Sequence, residues 1–295
     1  MFSSLMPELL SINADLPRAI ALAARHGFGG VDTLANHLLA PGLDLDSVAD
    51  ALAEHSLCPG YLSLPPGRVP ATDAEWKKAL ETLPLIATNA QRLGFARAAL
   101  VVLPFHETLP FEQAFEEHVR RINSLTAILD NFGIALALEY VSPPSRRAAY
   151  AHHFVYDMRG MLALCDALAS PHVGLLLDSF HWHCAGEDAA AIACLPAERV
   201  VVVHINDAPD LPYEAQKVGD RNLPGATGVI DLFSFVSALR SIGYDGPITC
   251  EPMAKAIAMM PRMDEDSVME MVSAAMQRAL PETCSSSIQH AVKLP

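Results

Sequence analysis

The chain of 295 residues is 51% hydrophobic and only 18% charged, so it can bury a substantial core; disorder and a coiled coil are both excluded. Lys and Arg number 20 against 34 Asp and Glu, a formal net charge of −14 that makes nucleic acid and anionic membrane poor partners. The longest uncharged apolar run, 98–105, is too short to span a bilayer, and no secretory signal pattern is evident. Six cysteines (Cys58, Cys165, Cys184, Cys194, Cys250, Cys284) lie scattered without a C-x-x-C pair, as expected of reduced thiols in a cytoplasmic protein.

Along the chain one local event recurs. An amphipathic segment ends at a glycine beside an aromatic residue, and a β-rich apolar run follows. Gly27-Phe28 precedes Val31-Asp32, Gly94-Phe95 precedes 98–102, Phe132-Gly133 precedes 134–139, and Gly243-Tyr244 precedes 248–251. Glycine takes the left-handed conformation that closes a helix, and the neighbouring apolar residue packs back on the last turn. Each event therefore predicts a helix-to-strand junction.

Reading outward from these junctions predicts strands at 9–12, 30–32, 60–64, 98–104, 134–140, 173–177, 200–205 and 248–251. Helices are predicted between them, among others at 16–26, 73–93, 111–131 and 232–241. Continuous apolar runs such as Val200-Val201-Val202-Val203 suit parallel strands covered on both faces. Such alternation predicts an α/β protein, a (β/α)8 TIM barrel. A doubly wound open sheet is the competitor, yet Asn13-Ala14-Asp15-Leu16-Pro17 is no glycine-rich phosphate loop. No linker or charge run divides the chain, so residues 1–280 are expected to form one barrel domain and 281–295 a loosely attached tail.

Polar residues close the buried strands. Glu139 ends 134–138, Asp178 ends 173–177 with His181 three residues on, His204 ends 200–203, and Glu251 ends 248–250. A single strand-terminal acid is ordinarily a helix N-cap or an ion-pair partner, and a lone buried histidine is ordinarily a hydrogen-bonded core residue. Four such residues at strand ends are harder to explain in that way. The C-terminal strand ends of a barrel meet at one mouth, where three converging carboxylates repel without a cation. With an imidazole among them they make a coordination set for one divalent metal: Mn2+, Co2+, Mg2+ or Zn2+.

These stretches resemble the xylose-isomerase-like barrels (the AP endonuclease 2 superfamily), which include sugar isomerases, ketose 3-epimerases and endonuclease IV. The resemblance rests on Leu136-Ala137-Leu138-Glu139-Tyr140, on 173–181 with its Asp178-x-x-His181, on Val203-His204-Ile205-Asn206-Asp207, and on Asp220-Arg221 followed by Pro224-Gly225 and 228–231. Within the family the motifs are most similar to those of inosose (2-keto-myo-inositol) isomerases. The likeness runs from Leu9 to about Leu280 and is strongest from Ile134 onward. It implies Glu139, Asp178, His204 and Glu251 as ligands of one metal, with His181 and Arg221 touching substrate oxygens. Asp32, at the end of the predicted second strand, is read as polarising a substrate hydroxyl or capping a helix. His106, His152 and His153 receive no role.

A metal held through carboxylates acts as a Lewis acid on the carbonyl of a hydroxy-ketone and favours an enediolate. Glu139 and Glu251, from different strands, are the candidate pair of proton-transfer carboxylates. Isomerisation, epimerisation and dehydration of a keto-polyol such as inosose or 3-dehydroshikimate all proceed from that intermediate. Three proline-containing loops, 63–72, 141–153 and 206–228, are expected to cover the site. Their Arg146, Arg147, Tyr213 and Lys217 suit an unphosphorylated sugar or cyclitol better than a phosphate ester. The expected partner is thus a small-molecule sugar or cyclitol, without nucleic acid or membrane, in a chain that is a candidate homo-oligomer. An endonuclease is disfavoured, because its aspartate-x-histidine metal position is Asp220-Arg221-Asn222 here. A non-catalytic metal-binding subunit is the third reading.

Overall fold

Eight apolar strands alternate with helices and close on themselves. The structure is a computed structural model that describes residues 1–253, 258 and 260–280. The strands are β1 (Phe2–Leu5), β2 (Gly30–Leu34), β3 (Cys58–Val69), β4 (Arg97–Val102), β5 (Ala135–Tyr140), β6 (Val173–Asp178), β7 (Val200–Ile205) and β8 (Pro247–Cys250). Each pairs in parallel with its sequence neighbours, and β1 also pairs with β8, Ser3 facing Ile248, so no sheet edge remains. The expected (β/α)8 barrel is therefore the fold, and closure rules out the open doubly wound sheet.

Among the described residues the α-helices are α1 (Leu16–Arg25), α2 (Leu45–Glu54), α3 (Asp73–Leu93), α4 (Phe111–Leu129), α5 (Met158–Asp166), α6 (Ser179–Cys184), α7 (Ala189–Ala193), α8 (Leu232–Ser241) and α9 (Glu265–Ala279). Their starts follow sequence chemistry. Thr72 and Glu75 form a reciprocal capping box on α3, and the side chains of Asp15, Asp44, Asp157 and Asp231 accept backbone N–H groups at the starts of α1, α2, α5 and α8. Helix and strand faces bury one large apolar core between them, including Leu16, Ile20, Leu83, Phe95, Leu175 and Phe235. A second, smaller cluster of Met6, Tyr61, Ala99, Ala137, Leu176, Val201 and Val202 fills the barrel itself.

Side chains alternate along a strand, so the parity of that inner cluster sets what reaches the mouth. Ala137 and Glu139 share the inner face of β5, Leu176 and Asp178 that of β6, and Val202 and His204 that of β7.

Two expected boundaries are corrected. Residues 9–12 are not the first strand. Pro7–Leu10 forms a 3-10 turn with proline in its first positions, and Ser11 closes it with a left-handed backbone at φ 59°. The strand is Phe2–Leu5, whose Ser3 and Ser4 mask the apolar pattern; Ser4 is buried because its hydroxyl donates to Asp32. Segment 63–72 is also mostly strand rather than loop. The pairing of β3 with β4 breaks after Ser63 and resumes at Arg68 and Val69, anchored by fully buried Leu64 and Val69. Loop 141–153 is shaped by a 3-10 turn at Pro144–Arg146 and by His152–His153, which pairs antiparallel with Phe105–His106. Five cysteines are free thiols among the described residues, while Cys284 and the expected tail 281–295 lie outside them.

Close backbone approach makes one glycine in the barrel wall testable. A Cβ at Gly174 in β6 would lie 2.6 Å from the Arg199 carbonyl oxygen and 3.0 Å from Val201 Cγ2. Gly174→Ala should therefore destabilise the protein by about 1–3 kcal/mol, the usual scale of overpacking, as read by urea unfolding. An unchanged midpoint and slope would show that the wall yields freely there.

Candidate metal centre

Glu139 (β5), Asp178 (the last residue of β6), His204 (β7) and Glu251 (just past β8) converge at the C-terminal mouth. One potential ligand atom from each lies within 4.8 Å of all the others, and all four residues are buried. Register explains the convergence: Asp178 pairs directly with His204, and His204 with Thr249, two residues before Glu251.

Arg221 enters this cluster from the loop after β7. Its Nη1 donates to Asp178 Oδ2 at 3.1 Å and to Glu251 Oε2 at 2.5 Å, with the guanidinium almost wholly buried. That loop is pinned rather than free. Asp207 and Asn222 exchange backbone hydrogen bonds of 3.0 and 2.8 Å, and the Asp207 carboxylate accepts the N–H groups of Ala208, Thr227, Gly228 and Ile230. Asn206 donates from Nδ2 to Asp178 Oδ2 at 2.8 Å. Asp178 thus holds two positions at once. Its Oδ1 accepts the N–H groups of Phe180 and His181 as the cap of α6, while its Oδ2 faces Arg221 and Asn206.

His181 is held by the same cap. Its Nδ1 accepts the Ser142 N–H at 3.4 Å, which leaves the proton on Nε2, 3.8 Å from Glu139 Oε1. Burial, reinforced by the Arg221 charge, pushes its pKa well below the usual histidine value, so the ring is a neutral donor. His204 uses both nitrogens, Nδ1 toward Glu251 Oε2 at 3.0 Å and Nε2 against the Tyr61 hydroxyl at 2.9 Å.

Charge is unevenly distributed. Burial would raise Glu251, but Arg221 and His204 outweigh it and hold its carboxyl far below the ordinary range. Burial would lower His204, but Glu251, Glu139 and Asp178 raise it to about 9. Glu139 makes no direct ion pair with either cation, and their charges only partly offset its shift. Burial, then the charges of Glu251 and Asp178, push it up to about 8, and its Oε1 is buried without a hydrogen-bond partner. An orphaned carboxylate oxygen facing two other carboxylates and an imidazole is what a divalent cation would complete, so the donor set fits a metal.

Asp32 was expected at the end of β2 as a substrate contact or helix cap. It lies inside the strand with no exposed surface and caps no helix. Its Oδ1 accepts from Ser4 Oγ and the Tyr61 N–H, and its Oδ2 from Thr249 Oγ1, so both oxygens are engaged by the chain. His106 is buried and accepts the N–H groups of Thr108 and Leu109, a local structural role. Among the expected loop residues, Arg147 stacks over the Tyr156 ring at 3.8 Å, Tyr213 meets His183 edge-on, and Lys217 is exposed. Asn206 and Asp207 were visible as a motif, but their work as a carboxylate anchor and a loop pin needed the fold. Tyr61, in an unremarkable apolar run, carried no signal.

A closed parallel barrel with one buried acid-and-imidazole cluster at its mouth defines a class of TIM-barrel proteins with a candidate single metal centre. The chain belongs to the xylose isomerase-like TIM barrel family, whose model matches residues 20–270. It is 25% identical over 243 residues to inosose isomerase of Bacillus velezensis, covering 81% of this chain and 84% of that protein. A xylose isomerase domain protein from Alicyclobacillus acidocaldarius is similar in structure, with a TM-score of 0.80 at 28% identity, covering 94% of this chain and 97% of that one. The IolI protein with a bound zinc atom shares the fold at a TM-score of 0.77 and 20% identity, covering 95% and 98%. No helix among the described residues is long and apolar enough to cross a membrane.

The charge distribution has a pH signature in metal-free protein. Glu139 keeps its proton up to about 8 when folded against 4.5 as its ordinary value, so its contribution is complete below 4.5 and is lost as pH rises through 8. His204, raised from 6.5 to about 9, contributes fully below 6.5 and loses it as pH rises through 9. The melting temperature of chelated protein should therefore fall between pH 6.5 and 9, and Glu139→Gln should flatten part of that fall. A profile that rises across this window would contradict the charge assignment.

Proposed function

We propose that this chain is a divalent-metal-dependent isomerase or epimerase acting by proton transfer on a hydroxy-ketone sugar or cyclitol, with an inosose as the leading substrate. The observation that carries this reading is the pairing of Glu139 and Glu251. The two carboxylates come from different strand ends, lie in one cluster, and have opposite electrostatic surroundings. The likeness to inosose isomerase supports the substrate class, and Asn222 in place of the histidine of an aspartate-x-histidine metal motif argues against a multi-metal phosphodiesterase.

Glu139, Asp178, His204 and Glu251 would hold the metal, which when bound would supply Lewis-acid polarisation of the substrate carbonyl. Glu139, with no cation of its own, is the carboxylate best placed to accept the proton from the carbon beside that carbonyl. The electron pair of the broken C–H bond moves into the enediolate. Return of the proton to the adjacent carbon completes isomerisation; for epimerisation Glu251 takes up a proton from solvent and delivers it to the opposite face, while Glu139 releases its own to solvent. His181 donates its Nε2–H to a substrate oxygen. Arg221 holds Asp178 and Glu251 in place through its two ion pairs, and orients a second substrate oxygen.

Two measurements test this. Mn2+ or Co2+ at a hundredfold excess over Kd should stabilise chelated protein by about 2.7 kcal/mol, and His204→Ala should largely remove the response. Elemental analysis finding no metal, with a melting curve that ignores both ions, would defeat the metal reading. With a panel of ketoses and inososes in D2O, NMR should show carbon-bound hydrogen exchanging with solvent during turnover. Glu139→Gln or Glu251→Gln should lower that exchange by about 10²–10⁴-fold even at saturating metal. Full exchange in both variants would place the base elsewhere.

A further inference from the structure

We propose that Tyr61 is a positioning residue of the metal centre, aiming His204 from a strand irregularity that Asp32 and Gly60 create. The inference rests on the metal reading above and concerns how one ligand is oriented.

The irregularity is visible in the strand register. Val31 of β2 faces Pro59 of β3, but Thr33 faces Leu62, so two steps along β2 match three along β3. The extra residue falls at Gly60-Tyr61, opposite Asp32. A bulge of this kind interrupts the ladder and re-aims a side chain. The Tyr61 N–H donates to Asp32 Oδ1 at 2.9 Å. The Asp32 carboxylate is itself fixed from β1 and β8 by the hydroxyls of Ser4 and Thr249, each at 2.7 Å. Glycine is required beside it. A Cβ at position 60 would lie 1.9 Å from Asp32 Oδ1 and 2.7 Å from Ser4 Oγ.

The re-aimed ring lies inside the barrel among Met6, Ala99 and Ala137. Its hydroxyl donates to Met6 Sδ at 3.4 Å, which leaves the phenol oxygen to accept from His204 Nε2 at 2.9 Å. His204 Nδ1 is consequently the nitrogen on the carboxylate side, 3.0 Å from Glu251 Oε2. An imidazole that binds metal through one nitrogen commonly donates the other N–H to a partner that fixes its tautomer and ring angle. Tyr61 is that partner here. Asp32, engaged by the chain on both oxygens, anchors the bulge.

Cobalt binding decides the point without reference to turnover. Tyr61→Phe keeps the ring and removes only the hydroxyl. It should weaken Co2+ binding to metal-depleted protein by roughly 10–100-fold in calorimetry and alter the visible absorption of the bound ion, while the apo variant still unfolds cooperatively. Gly60→Ala, which displaces the bulge with the hydroxyl intact, should weaken Co2+ in the same direction. In a His204→Ala background, Tyr61→Phe should cost little more, about twofold or less, because the two residues act as one unit. Wild-type affinity and spectrum in Tyr61→Phe would overturn the inference while leaving the metal reading intact. A wild-type protein that binds no Co2+ would overturn both.

Discussion

Buried like charge is the constraint on which the mouth of this barrel depends. Two unit charges about 4 Å apart interact by about 4 kcal/mol even at an effective dielectric of 20, so three ionised carboxylates within one such space are untenable alone. The chain supplies Arg221 against Asp178 and Glu251, and sets His204 against Glu251. Glu139 is left over, neutral at ordinary pH in the metal-free state, with one oxygen that no donor reaches. The position beside that oxygen is where a divalent cation, with Glu139 ionised, would complete the set.

Much of the surrounding architecture makes sense as support for that arrangement. Arg221 can sit in the cluster only because the long loop after β7 is tied back by the Asp207–Asn222 bridge and by the amides gathered on Asp207. His181 stands 3.8 Å from Glu139 Oε1, beyond hydrogen-bond reach, because Asp178 caps the helix that carries it. Removing one partner from a buried charge network leaves the others uncompensated, which makes such networks rigid and costly to interrupt. Rigidity of this kind suits the proton transfer proposed above, in which two carboxylates would hold their places around a small substrate.

Local role and cluster role turn out to coincide. Asp178 is the helix cap that an isolated strand-terminal acid would suggest, yet its second oxygen belongs to the charge cluster. A carboxylate has two oxygens with separate lone pairs, so capping and cluster membership are compatible. His204 likewise is a hydrogen-bonded histidine inside a barrel and also a candidate ligand, through different nitrogens.

The sequence by itself determined the alternation of strands and helices, and with it the barrel, because apolar runs and glycine-closed helices are local signals. It also determined which four residues stand at the ends of β5 to β8, since period-two alternation makes an acid or histidine after an apolar run conspicuous. Local signals failed where a polar residue was buried by a distant partner. Ser3 and Ser4 hid β1 because Ser4 is satisfied only by Asp32, 28 residues away. Asp32 stands out in the sequence as a strand-end acid, while its partners Ser4, Tyr61 and Thr249 come from three other strands. Tyr61 meets His204 across 143 positions of chain, and no pattern in 58–69 announces that contact. Register, bulges and loop pins bring together residues remote in sequence, so only the tertiary structure decided which polar groups serve the centre and which serve the barrel.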